Sequence, residues 1–262
     1  MIGKEIRLER IINRNTGKTV IIPMDHPIAY GPIDGLVNMS KAVDNAAIAG
    51  ANAVVLHAGS VFSGHRQSGK DMGLILHLNA STNLSPNPNT KVMVNTVQHA
   101  LKLGADAVSM QLNIGANDEA KMLNDVAMVA LECREWGLPL LVMVYPKGGV
   151  EGEGQNPEVI KHIVRASAEI GADIVKTGYT GSIDSFKQVV EGCPVPVIVA
   201  GGSKGDEMET LKMIEDSIKA GGSGVAMGRN SFQHKDPTKF MKAVSKVVQE
   251  GKTAEEAAKD LK

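Results

Sequence analysis

GADIVKT, residues 171–177, has the grammar of a junction: a glycine suited to ending a helix, two small or polar residues, then a β-branched run. The same phrase returns as GANAVVL at 50–56, GADAVSM at 104–110 and GGSGVAM at 221–227. Helix, glycine, buried strand is the αβ joint of a βα repeat. Further apolar runs fill the gaps: TVIIPMD at 19–25, GLILHL at 73–78, LPLLVMVYP at 138–146 and PVPVIVAGG at 194–202. Strands near 19, 53, 74, 107, 139, 173, 196 and 224 make eight. Between them lie helical patterns such as PEVIKHIVRASAEIG (157–171), with Val159, Ile163, Val164 and Ile170 near a 3.6 period, and SFKQVVEG (185–192). Strands that are apolar throughout, alternating with amphipathic helices, predict a parallel sheet covered on both faces. Eight such units in 262 residues predict an α/β fold of the (β/α)8 TIM-barrel type, rather than an open doubly wound sheet. The first βα turn, MDHPIAYGP, also lacks the G-x-G-x-x-G of a dinucleotide site.

The barrel is expected to take up residues 1–262 as one domain, with 1–18 as an N-terminal accessory segment and 253–262 as a C-terminal helix. IRLERII (6–12) is expected to pack a short helix at the barrel bottom, and Thr253 with Glu256 forms a capping box for the last helix. Two segments, HAGSVFSGHRQSGKDM (57–72) and NASTNLSPNPNTK (79–91), are rich in Gly, Ser, Asn or Pro and read as long loops. Such loops are either functional lids or inert insertions.

A formal charge of −1 shows no basic excess, which argues against nucleic acid or an anionic membrane as the main partner. Cys133 and Cys193 stand alone, outside any CxxC or Cys/His cluster, as reduced thiols do. The first fifteen residues interrupt their apolar positions with charges, and no apolar run nears the roughly 18–20 residues of a membrane span. A cytoplasmic protein is expected.

In a barrel of this kind, polar residues at the C-terminal ends of strands face the site while strand interiors fill the core. That rule selects Asp25 and His26 after the first strand, Tyr145 at the fifth, Lys176 near the end of the sixth, Gly201 and Gly202 at the seventh, and Gly228 and Arg229 at the eighth. Lys176 is the anomaly, because burying an ammonium is costly. It is either a lysine that snorkels or pairs with Asp173 or Asp184, or an amine kept to attack a carbonyl and form an imine. Asp25 and Tyr145 are candidate proton carriers, although an Asp after a strand also serves as a helix cap and a Tyr before Pro as packing. AGGSKG (200–205) and GRNSF (228–232) are glycine turns at the corner where such barrels hold phosphate, with Arg229 as a possible clamp; the alternative is that they only turn the chain. His57, His65 and His77 raise the idea of zinc, but without an HxH or HxxH pair or a supporting cysteine they read as loop histidines, and no metal is expected.

Taken in order, PMDHPIAYGP, VYPKGG, GADIVKTGYTG, VIVAGGSK and GVAMGRNSFQH resemble the archaeal-type class I aldolase family. It joins fructose-bisphosphate aldolases with 2-amino-3,7-dideoxy-D-threo-hept-6-ulosonate synthases. The resemblance runs from about Arg7 to Asp236. It implies an imine on Lys176 with no other cofactor, Tyr145 and Asp25 as acid/base groups, and phosphate turns at Gly201, Gly202, Gly228 and Arg229. It also implies substrate contacts from His26, Pro27, Ile28, Ala29, Pro146 and Lys147. SPNPNT (85–90), KTGYTGSIDSF (176–186) and Met143, where aldolase relatives tend to carry tryptophan, are similar to the synthase branch. That branch implies a transaldolase: a deoxy-diulose (6-deoxy-5-ketofructose) phosphate is captured by Lys176 and cleaved, and the retained fragment joins L-aspartate 4-semialdehyde on an alternative route to 3-dehydroquinate and the aromatic amino acids. Fructose-bisphosphate aldolase is the alternative, and a non-catalytic phosphosugar-binding barrel a remoter one. The partners implied are a phosphorylated ketose, an aldehyde and further copies of the chain in a large homo-oligomer, such as a decamer. Three departures touch substrate contacts: Pro27 where the family has Gly, Lys147 where it has Arg, and Ala58 where relatives carry a basic residue.

Overall fold

A computed structural model of the chain describes residues 1–64, 72–202 and 205–261. Eight parallel strands close on themselves: β1 (Thr19–Pro23), β2 (Ala53–Leu56), β3 (Gly73–His77), β6 (Ala107–Ile114), β7 (Leu140–Pro146), β8 (Ile174–Thr177), β9 (Val197–Ala200) and β10 (Gly224–Ala226). The omitted numbers are a small antiparallel pair, β4 (Asn79–Ala80) with β5 (Val92–Met93). All eight barrel strands stand where the apolar runs place them. Helices follow most of them, including Pro157–Glu169 and Ile183–Glu191.

Period two sorts the strand residues into two buried sets. Val54, Leu56, Val108, Met110, Val142, Val144, Val197 and Val199 belong to the cluster between barrel wall and helices. Their alternates Ala53, Val55, Ala107, Leu141, Met143 and Ile198 form a separate interior cluster with Ile21, Ile75, Ile174 and Ala226. At the seam, Thr19 pairs with Gly224, whose φ is +137° and whose added Cβ would stand 2.0 Å from the Thr19 carbonyl oxygen. Only glycine lets the last strand close there.

The bottom of the barrel is stoppered by the N-terminal segment. A helix spans Ile2–Leu8, and Ile11, fully buried, joins the interior cluster. Lys4 pairs with Asp173 at 2.9 Å, and the same carboxylate accepts from the Leu140 amide; Arg10 pairs with Asp106, which accepts from the Leu74 amide. The last helix, Ala254–Ala258, opens on the expected Thr253–Glu256 capping box.

One loop reading needs correction. The segment 57–72 carries a helix over Ala58–Gly64, while His65 lies outside the described residues. The 79–91 segment begins in β4 and is cross-linked throughout: Ser81 donates to the Pro88 carbonyl (2.6 Å), Asn113 to that of Asn89 (2.7 Å) and Thr90 to Asp118 (2.6 Å). Local composition predicts irregular backbone, whereas these bonds to distant partners carry no periodic signal. Among the described residues, no helix is long and apolar enough to cross a membrane.

Candidate active site

The interior face continues upward in steps of two and turns polar at the rim. Ile21 and Pro23 lead to Asp25, Ala53 and Val55 to His57, Ile75 to His77, Ser109 to Gln111, Met143 to Tyr145, and Ile174 to Lys176. These rim residues line one cavity of about 410 Å³, together with His26, Ile28, Ala29, Lys147 and Arg229. An adjoining cavity of about 260 Å³ is lined by Gly201, Gly202 and Gly228 and shares His26, Tyr145, Lys176 and Arg229 with the first. The two cavities thus meet at the lysine. Pro27 and Pro146 line neither, while Ser203 and Lys204 lie outside the described residues.

Lys176 is 8% exposed, and its Nζ lies 3.9 Å from the Met143 sulfur across the β7–β8 register. Asp173 is not its partner, being held by Lys4 at the other end of the strand, and Asp184 is exposed on a helix. Among the described residues no carboxylate comes within ion-pair distance of the amine.

Asp25 does not cap the one-turn helix Pro27–Tyr30, whose N-cap is His26. Its carboxylate lies 3.8 Å from His77 Nε2 and 3.7 Å from His26 Nδ1. Burial would raise its pKa, but His77, His26, Lys176 and His57 outweigh that and hold it at about 2. Burial pushes His77 down to about 4 against the pull of Asp25, and it lowers His57 and His26 as well. At neutral pH the rim therefore presents an ionised Asp25 beside neutral imidazoles. His77 is fixed by Ser109 Oγ at 2.8 Å, and His57 meets its ring edge-on with centroids 5.2 Å apart. The reading of His77 as a loop histidine is corrected, since it ends β3, while His57 follows β2 in the loop as read; both continue interior-facing strand positions, and stepping by two along GANAVVLH and GLILH finds them.

Asn79 and Asn230 are further residues that sequence reasoning missed. The Asn79 amide bonds both the N–H and the C=O of Gln111, tying the 79–91 loop to β6. Asn230 donates to the Gly201 carbonyl at 2.7 Å and accepts from the Gly205 amide, bracing the turn after β9. In the Gly228 turn an added Cβ would stand 2.5 Å from His26 Cε1, so backbone and imidazole approach closely there.

Residues 19–234 match the DeoC/LacD family aldolase model. The chain belongs to that family. Two curated relatives of this family member span nearly its whole length. It is 41% identical over 248 residues to 2-amino-3,7-dideoxy-D-threo-hept-6-ulosonate synthase 1 of Archaeoglobus fulgidus, covering 95% of this chain and 92% of the relative. It is 36% identical over 247 residues to 2-amino-4,5-dihydroxy-6-oxo-7-(phosphonooxy)heptanoate synthase of Streptomyces griseus, covering 94% and 90%. Among solved structures, a Schiff-base-forming fructose-1,6-bisphosphate aldolase superposes with a TM-score of 0.86 at 33% identity, covering 94% of this chain and 99% of that one.

Proposed function

We propose that the chain is a lysine-dependent transaldolase that makes 2-amino-3,7-dideoxy-D-threo-hept-6-ulosonate from a deoxy-diulose phosphate and L-aspartate 4-semialdehyde. The observation that carries it is a buried amine without a carboxylate partner, standing where two cavities meet beneath an ionised Asp25. Lys176 adds to the donor ketone, and loss of water leaves a protonated imine that withdraws electrons from the neighbouring carbons. Asp25, already ionised, takes the proton from the hydroxyl next to the breaking C–C bond, and the first aldehyde departs. The enamine that remains attacks C4 of the semialdehyde, the proton returns to the new alkoxide, and water releases the product from Lys176. Tyr145, on the interior face above Met143, is the second proton carrier. Relatives of both kinds, synthase and Schiff-base aldolase, support the chemistry.

A second reading concerns which fragment carries phosphate. Gly201, Gly202, Gly228 and Arg229 surround the cavity that includes Lys176, so an anion cradled there would lie beside the imine carbon. Such an anion would belong to a phosphorylated three-carbon fragment, and its retention would give a 7-phosphonooxy product of the kind the S. griseus relative is named for, in place of the phosphate-free 3,7-dideoxy product. We also read the chain as a cytoplasmic homo-oligomer. Supporting the oligomer, Met128, Leu131 and Trp136 on the helix Glu119–Trp136 are exposed apolar side chains, as are Ile2 and Ile6 in the N-terminal helix.

The test combines trapping with product analysis. Borohydride with the ketose phosphate donor should leave the reduced imine of the donor or of its retained fragment on a peptide containing Lys176, and Lys176→Met should abolish both trapping and turnover. Mass analysis of the product formed with aspartate semialdehyde then decides whether phosphate is kept. Activity that is lost with EDTA while no adduct forms would reject the imine mechanism. Cleavage of fructose 1,6-bisphosphate without any transfer to aspartate semialdehyde would convert the reading to a simple aldolase.

A further inference from the structure

The 410 Å³ cavity has an end of its own, away from the glycine turns. There it runs under the 81–91 segment and is lined by Ser81, Asn83, Pro88, Asn89, Lys91 and Lys147. We propose that Lys91 binds the α-carboxylate of the amino-acid aldehyde, setting that substrate with its charged end under the 81–91 segment and its carbonyl toward Lys176. This rests on the transaldolase reading and deepens it by assigning the acceptor's end of the same site.

The two cations of this end differ in what already neutralises them. Lys147 pairs with Glu151 at 2.5 Å. Lys91 donates only to neutral oxygens, 2.6 Å to Ser81 Oγ and 3.3 Å to the Pro88 carbonyl, and among the described residues no carboxylate is in ion-pair distance of it. An ammonium has three donors, so two such bonds leave it the charge and a hydrogen for an anion. Burial draws Lys91 below the ordinary lysine range, with Asp25 opposing and Lys147 adding to the effect, so its amine stands within the field of Asp25 at the catalytic rim.

The scaffold fixes that amine before any ligand arrives. Besides the Ser81–Pro88 bond, the Asn83 amide donates to the Ala29 carbonyl at 3.1 Å, and Asn113 holds the Asn89 carbonyl from β6. The segment is thus moored to both walls of the cavity, and little ordering is left to oppose binding. The chemistry of the two ends also differs. Glycine turns with an Arg suit a phosphate, through several N–H groups and a forked donor. A single ammonium held by a hydroxyl and a carbonyl matches one negative charge, that of a carboxylate.

The experiment uses L-homoserine, the unreactive alcohol counterpart of the acceptor, in calorimetric titration of the full chain. Wild type is expected to bind it, Lys91→Met to bind about 10-fold or more weakly, and Lys91→Arg to stay within about 3-fold of wild type. In parallel, transfer to succinate semialdehyde is compared with transfer to uncharged butanal. Their kcat/KM ratio should fall about 10-fold or more in Lys91→Met, through the KM of the charged aldehyde. Equal L-homoserine affinity in wild type and Lys91→Met, absence of binding to wild type, or an unchanged ratio each overturn the assignment. Circular dichroism and borohydride trapping establish that the variant is folded and still forms its imine. Lysine-dependent L-homoserine binding without any transfer by wild type would sink the reaction while leaving the anion site standing.

Discussion

Lys176 and His77 occupy interior-facing strand positions one step above the apolar core, and the two meet the cost of burial differently. The lysine amine stands at the cavity rim beside Asp25 and the Met143 sulfur, while burial holds the histidine neutral at pH 7. That choice has a pH signature. With His77 held at about 4 in the folded chain against its ordinary 6.5, the unfolded chain carries a proton between those values that the folded chain lacks. Stability therefore falls as pH drops through 6.5 toward 4. Asp25 adds nothing in this window: its stabilisation is complete above 3.8 and is lost only as pH falls toward about 2. His26 and His57, also lowered by burial, act in the same direction as His77, so only a variant isolates one residue. Urea unfolding at pH 7 and pH 4.5 should show wild type losing about 2 kcal/mol more than His77→Gln over that change. An identical loss in both would mean that His77 is not the neutral buried group the geometry makes it.

Strands and loops transmit their design through different signals. Most barrel strands are apolar along their runs, β6 with Ser109, Gln111 and Asn113 being an exception, so they are legible from a few residues, and the rim residues at their ends follow from the barrel rule. Asp25, Tyr145 and Lys176 were found that way. Gln111 was missed, and with it the inward direction of His57 and His77, because each is a single polar residue after an apolar run, and only counting by two from Val55, Ile75 and Ser109 reveals it. The 79–91 segment defeats such counting altogether. Its order comes from Asn79 bonding Gln111, Asn113 bonding Asn89 and Lys91 bonding Ser81, pairs that no local period links. Asn79 is 1% exposed and meets both backbone groups of Gln111, so Asn79→Ala leaves a part-buried donor and a part-buried acceptor without this partner. A loss of about 1–3 kcal/mol is expected. Because the freed segment carries Ser81 and Lys91, KM for the aldehyde should rise in the same variant more than kcat falls. Equal wild-type stability and KM would show that the segment is held by its other bonds alone.

The whole barrel separates its tasks along its axis. At the top, strand ends expose charge, imidazole and amine to two joined cavities; at the bottom, the N-terminal segment closes the interior. Asp106 and Asp173 make that closure cooperative, since each carboxylate binds a cation of the N-terminal segment and the amide of an adjacent strand start. Thr19 Oγ1 donating to the Ile11 carbonyl at 2.6 Å adds a bond from the first strand. Ile11 is the side chain this arrangement seats in the interior cluster, with no exposed surface. Shortening it in Ile11→Ala leaves a void that the surrounding strands are too rigid to fill, at a cost of about 2–4 kcal/mol. The interior cluster, with Met143 and Ile198 at its upper side, lies between that void and the amine, so the rim should keep its geometry as long as the barrel stays closed. Ile11→Ala should therefore lower the urea midpoint, while kcat/KM at 25 °C stays within about twofold of wild type. A fall in kcat/KM under conditions where the variant is fully folded would mean that the interior passes strain from one rim to the other, and that the imine site depends on its floor as well as on its rim.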